Sequence, residues 1–240
     1  DGEAGQPQDI EARSGTEFPN SEHAPDPATF GRRLLVRPDG TLEELGPKGT
    51  RGQSGLLRFT PSTPGVYIIA VETRPKLITL EADKFNAYLV SDGLPHIYSL
   101  RAREHALDEP GRERYRKSPK ALVRVGGGGE GDPCRVVGLP LEIVPQQDPF
   151  ALSVGDTLRV RVLFQGEPLP DANLGWDLPG DGEAPSGTVR SDAQGEALVP
   201  IASDGLMTIR LTHMTRPKAD DYEWESFWTT LTFRVPGARP

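Results

Sequence analysis

From Gly138 to Val235 the chain consists of short, β-branched apolar runs, each closed by glycine, aspartate or proline. Leu158-Arg-Val-Arg-Val-Leu-Phe164 leads into the turn-rich Gln165-Gly-Glu-Pro-Leu-Pro-Asp-Ala172. Ser191-Asp-Ala-Gln-Gly-Glu-Ala197 carries a second turn, and Leu206-Met-Thr-Ile-Arg-Leu-Thr-His213 resumes the alternation. A side-chain period of two bounded by turn residues suits half-buried antiparallel strands. The expectation is a mainly β protein built as antiparallel sandwiches. No nucleophile elbow, phosphate-binding loop, dinucleotide fingerprint or Cys-x-x-Cys pair interrupts the pattern. Catalysis needs a positioned nucleophile and base or paired acids, and nothing local supplies them, so no enzyme is expected.

The chain has 240 residues, 35% of them hydrophobic, enough to bury a core as one large or two small domains. Its 24 prolines and 27 glycines are spread as punctuation between apolar runs, which argues for many turns and against disorder. A net charge of −8 argues against nucleic acid as a partner, because phosphate neutralisation needs a basic surface. No stretch approaches the roughly 20 apolar residues of a membrane-crossing helix. The polar start Asp1-Gly2-Glu3 is compatible with the mature form of an exported protein. Cys134 is the sole cysteine, so no internal disulfide forms; it reads as a bystander, with an intermolecular link as the lesser option.

Along the first half, Arg32–Pro38 reads as a strand followed by an Asp39-Gly40 turn. Leu56–Phe59, then Val66–Val71 after the Pro64-Gly65 turn, and Leu77–Leu80 continue the β pattern. Glu81–Leu89 changes period, placing Phe85, Tyr88 and Leu89 at helical spacing up to Gly93. A second helix is expected over 109–120, opened by Asp108-Glu109-Pro110 and ended before Pro119. Residues 101–124 hold eight Lys or Arg against four Asp or Glu. Such a run is either a solvated helix face or a docking patch for an acidic partner or for the other domain, with Arg112 and Arg116 as its contact residues. Gly126-Gly-Gly-Gly-Glu-Gly-Asp132 lacks the Lys-Ser/Thr of a phosphate cradle and reads as a flexible linker. Two β domains follow, residues 1–130 with helical insertions near 81–92 and 109–120, and residues 131–240.

Several blocks together resemble a bacterial family of exported proteins, domain-of-unknown-function family 4198, formerly labelled a nickel-uptake component. They are Pro64–Tyr67, Phe85–Leu89, Glu113-Arg-Tyr115 with Lys120–Val123, Gly138–Pro145, the 158–164 strand with Gly166 and Pro168-Leu169, Asp192–Gly195, and His213-Met214 followed by Trp224–Trp228. The resemblance runs from about residue 54 to 235. It implies a periplasmic or secreted β protein whose C-terminal half is similar to Ig-like, transthyretin-like or carboxypeptidase-regulatory sandwiches. Members commonly begin with a histidine and an aromatic pair, an opening that Asp1-Gly2-Glu3-Ala4 does not match. From this opening, a site built on an N-terminal histidine is not expected.

None of His23, His96, His105 and His213 falls in a local metal motif, so a metal site would have to assemble in space. His213 is the best candidate: it closes a strand and precedes a loop bearing Asp220, Asp221, Glu223 and Glu225. Imidazole with carboxylate suits nickel, cobalt, copper or zinc, and Met214 could add a thioether. If 227–235 is a strand, Phe227, Leu231, Phe233 and Val235 share a core face while Trp228, Thr230 and Thr232 share the other. Trp228 with Trp224 and Tyr222 would then cover the other domain, meet a protein partner or stack on a sugar. Ser91-Asp92-Gly93 and Ser203-Asp204-Gly205 read as turns. The leading expectation is a non-catalytic extracytoplasmic binding or accessory protein handling a divalent transition metal. The alternative is a structural or decorating subunit of a cell-surface or extracellular assembly, docking through edge strands and the aromatic face.

Overall fold

The structure, a computed structural model, describes residues 2–15, 18–26, 29–178 and 185–237. The N-terminal half contributes β1 (Gln8–Ala12), β2 (Phe30–Val36), β3 (Leu42–Glu44), β4 (Pro47–Arg51), β5 (Ser54–Phe59), β6 (Gly65–Thr73) and β7 (Lys76–Leu80). Helices α1 (Ala82–Ser91) and α2 (Pro95–Arg103) follow, then the long β8 (Gly111–Val125). The C-terminal half adds β9 (Leu141–Pro145), β10 (Thr157–Phe164), β11 (Glu167–Pro168), β12 (Asn173–Asp177), β13 (Ser186–Arg190), β14 (Glu196–Pro200), β15 (Gly205–Thr215) and β16 (Trp224–Val235). The protein is therefore mainly β, as the period-two runs predict, with two helices. No helix among the described residues is long and apolar enough to cross a membrane.

A nine-stranded sheet in the order β13-β12-β15-β16-β8-β6-β2-β3 forms the spine, with β7 also pairing to β8. The boundary expected near residue 130 falls at the glycine run, and strands from both sides of it meet in this sheet. β16 lies parallel to β8 from Trp224↔Glu113 to Thr232↔Ala121. A four-stranded sheet of β9, β10, β11 and β14 covers one face, burying Ile143, Val160, Val162, Leu231 and Phe233 between the layers. A three-stranded sheet, β1-β5-β4, covers part of the other face over Leu35, Leu57, Phe59 and Tyr67. β6 serves both cores, sending Ile68 and Ala70 to one and Tyr67, Ile69 and Val71 to the other. That double burial is why Val66–Val71 is uninterruptedly apolar. Gly65, at φ 142, opens the strand where a Cβ would meet the Glu130 carbonyl oxygen at 2.4 Å.

The helix expected over 109–120 is a correction: this segment is strand β8. Its residues alternate across the sheet, the arginines at 112, 114 and 116 on one face and Glu113, Tyr115 and Lys117 on the other. β16 pairs along one side, β7 covers 111–115 on the other and β6 covers 120–125. Pro119 is tolerated because it falls in the gap between β7 and β6, where β8 has no strand on that side. The second helix is α2, with Pro95 in its first turn and Ile97 and Arg101 buried. Both helices pack on the outer face of β8 and β16, where Phe85, Leu89, Leu94 and Ile97 meet Met214 and Trp224.

Candidate functional site

The inner face of β8 carries Arg112, Arg114 and Arg116, and neighbouring segments supply their acidic partners. Glu225, opposite Arg114 in the β8–β16 register, accepts from Arg114 Nη2 at 2.7 Å and Nε at 3.2 Å. The same oxygen, Oε1, accepts from Arg116 Nη2 at 3.1 Å. Glu72, near the end of β6, lies 3.5 Å from Arg116 Nη1. The Arg114 guanidinium sits 4.6 Å from the Tyr222 ring centroid and that of Arg116 5.3 Å from Phe227. Arg116 is underused: its Nε is buried and has no hydrogen-bond partner among the described residues.

Glu72, Arg114, Arg116, Glu225 and Phe227 line a groove of about 610 Å³, in the size range of small-molecule sites. Its opposite wall is Gly138, Leu139 and Pro140 with the hairpin tip Gln165-Gly166. The tip is a two-residue loop between β10 and β11 with φ of 52° at Gln165 and 87° at Gly166, the positive pair that matches strand twist. Gln165 N donates to the Pro140 carbonyl at 2.8 Å, tying the two loops together. Glu142 holds the other end of the wall, accepting from the backbone N–H of Val137 (2.9 Å), Gly138 (2.9 Å) and Leu139 (3.1 Å) and from Lys120 Nζ (2.8 Å). Arg32 donates to the carbonyls of Val137 and Gly138. Rigid supports of this kind keep a groove open when it is empty.

On the outer face, Glu113 is buried beneath α1 and accepts from Tyr88 Oη at 3.3 Å and from Ser226 Oγ. Trp228 Nε1 donates to Ser226 Oγ at 2.9 Å, and its ring stacks on Tyr88 at 5.4 Å and 8°. Lys117 Nζ lies 5.4 Å from the Trp228 centroid, and burial pushes its pKa down. Burial likewise raises the carboxyl pKa of Glu113, and that of Asp92, which accepts from Thr212 Oγ1 at 3.1 Å. The arrangement fastens α1 to the sheet.

The predicted site residues scatter. His213 faces inward on β15, its ring 4.6 Å edge-on to Phe164, and burial with the nearby charge of His96 drives its pKa down to about 4. Asp220 and Asp221 are exposed on the loop beyond. Among the described residues no three His, Cys, Asp or Glu side chains converge to hold a metal ion, so His213, Asp220 and Asp221 do not form the expected cluster. Trp224 is no partner surface: it is 2% exposed and packs on Phe85. Trp228 and Tyr222 are half-buried, covered by Tyr88 and Arg114 respectively, so the aromatic face is occupied within the chain. Arg112 stays exposed, 4.0 Å from Glu223, with Nη1 3.5 Å from the Asp220 carbonyl. Arg116 alone of these residues lines the groove. Glu72, Arg114 and Glu225 were not assigned to it; reading 112–116 with a period of two would have placed both arginines on one face.

A family model for a domain of unknown function (DUF4198) matches residues 2–215. A search of curated proteins returns no match. Among solved structures, a tetra-tandem repeat from the extending region of a large adhesion protein is similar at 10% identity and a TM-score of 0.25. That match covers 88% of this chain and 42% of the other. The family match spans most of the chain, and the protein belongs to the DUF4198 family.

Proposed function

We propose that this protein is a non-catalytic extracytoplasmic binding or accessory protein whose ligand sits in the groove beside β8. The observation that carries the reading is the groove itself, about 610 Å³ of space walled by two buttressed loops and floored by Arg114 and Arg116 with Glu72 and Glu225. Exported location is the setting that the family resemblance implies. The narrower form, handling nickel, cobalt, copper or zinc, rests on His213 as the histidine closest in sequence to the acidic loop. It requires a saturable stabilisation by one of these ions that His213→Ala removes.

The test is a thermal-shift panel of small polar molecules and the four metal ions on wild type and Arg116→Ala. A saturable shift with a small molecule, lost in Arg116→Ala, supports the groove. No shift with any member contradicts it. A structural role in a larger assembly is the second reading, favoured by β7: only β8 is paired to it, and Leu77 and Ile78 are 61% and 39% exposed. Light scattering on purified protein decides this reading, since a monomer at all concentrations opposes self-assembly.

A further inference from the structure

We propose that the groove selects a small zwitterion, an amino acid or short peptide, through its alternating charges; this rests on the groove being the ligand site. The charged residues lining it are two arginines and two glutamates, so its floor has no net charge to attract a polyanion or a bare cation. Its charge is instead separated in space. Arg116 uses Nη2 on Glu225 at 3.1 Å and holds Glu72 only at 3.5 Å through Nη1. A planar guanidinium whose Nη1 is held only at 3.5 Å suits a carboxylate, which such a group grips by two parallel hydrogen bonds.

An isolated ligand carboxylate would also face Glu72 and Glu225, and their repulsion would cancel much of the gain. A ligand carrying an ammonium as well removes that conflict. Its positive end meets the glutamates, and all three of Glu225's hydrogen bonds from the arginines fall on Oε1, leaving Oε2 outside those contacts. Gly138 and Gly166 keep the wall open, since a Cβ at either would meet nothing within 4 Å, so backbone and small side chains have room beside the charges.

The experiment is calorimetric titration of the full chain with glycylglycine, acetate and methylammonium, on wild type, Arg116→Ala and Glu72→Gln. Glycylglycine should bind saturably, and each half-ligand should bind at least about tenfold more weakly, the factor expected when one set of charge-assisted hydrogen bonds is lost. Arg116→Ala should lose glycylglycine binding, and Glu72→Gln should weaken it while retaining the wild-type melting temperature. Acetate binding as tightly as glycylglycine, or an unchanged affinity in both variants, would overturn the zwitterion assignment and leave the groove standing as a site for another ligand. Binding by none of the panel molecules used for the proposed function would bring down both.

Discussion

Two sets of charges share one face of β8, four residues apart, and they are built in opposite ways. Lys120 and Glu142 are each 1% exposed, and the carboxylate accepts four donors, one from the lysine and three from the backbone. Desolvation lowers the Lys120 pKa even with its partner at 2.8 Å, yet every lone pair that matters is occupied. The Arg114, Arg116, Glu225 and Glu72 set keeps between 12% and 34% of each side chain exposed and leaves a donor unused. A closed network of this sort locks a loop to a strand, whereas an open one borders space. Residue type alone does not separate the two sets; completeness of pairing does.

Removing Lys120 should have the largest effect. Lys120→Met leaves the Glu142 charge buried and should cost about 3–5 kcal/mol of unfolding free energy, read by denaturant melts. It should also loosen the Val137–Leu139 wall and weaken any groove ligand, so a loss under about 1 kcal/mol would break the comparison. Trp224→Ala, which empties the space beneath α1 and α2, should cost about 3–5 kcal/mol. A change of less than about 1 kcal/mol there would return Trp224 to the surface role that its burial argues against.

Glu225→Gln sharpens the contrast from the other side, since a partly exposed ion pair is worth about 0–1 kcal/mol. The variant should melt close to wild type and still lose ligand. A loss as large as that of Lys120→Met would make the open set structural too.

The pH dependence is a smaller effect with two opposing parts. His213 titrates near 4 in the fold against an ordinary 6.5, so its contribution is full above pH 6.5 and is lost as pH falls toward 4. His213→Phe should flatten that acid limb in thermal melts. Glu113 and Asp92 have raised pKa values, so their contribution is full below the ordinary carboxylate range and is lost as pH rises through the folded values. Glu113→Gln should flatten the slope on that side. Smallest of all, Arg112→Ala should stay within about 0.5 kcal/mol of wild type, as for an exposed side chain with a 4.0 Å ion pair.

The strands were legible wherever burial follows apolarity. Leu158–Phe164 and Leu206–His213 carry their period in the residue types themselves, as does α1 through Phe85 and Leu89, and Val66–Val71 shows as an unbroken apolar run. β8 was not, because the side chains it half-buries are charged, and a hydrophobic pattern does not register an arginine sheltered by a glutamate. α2 was missed for the same reason: it buries Ile97 and Arg101, and Arg101 Nη2 then donates to the carbonyls of Ala106 and Glu109 at 2.6 Å. The groove lay further out of reach. Arg114 and Glu225 are 111 positions apart, and only the parallel β8–β16 pairing puts them side by side.

The most direct test is the melting temperature of wild-type and Arg116→Ala protein titrated with glycylglycine. If the open charges form a ligand site, the wild type gains about 2.7 kcal/mol at a hundredfold excess over Kd, and Arg116→Ala, melting near wild type without ligand, gains nothing. A flat wild-type titration, or an Arg116→Ala protein that unfolds as readily as Lys120→Met, would show that both charge sets on β8 serve only to hold the sheet together.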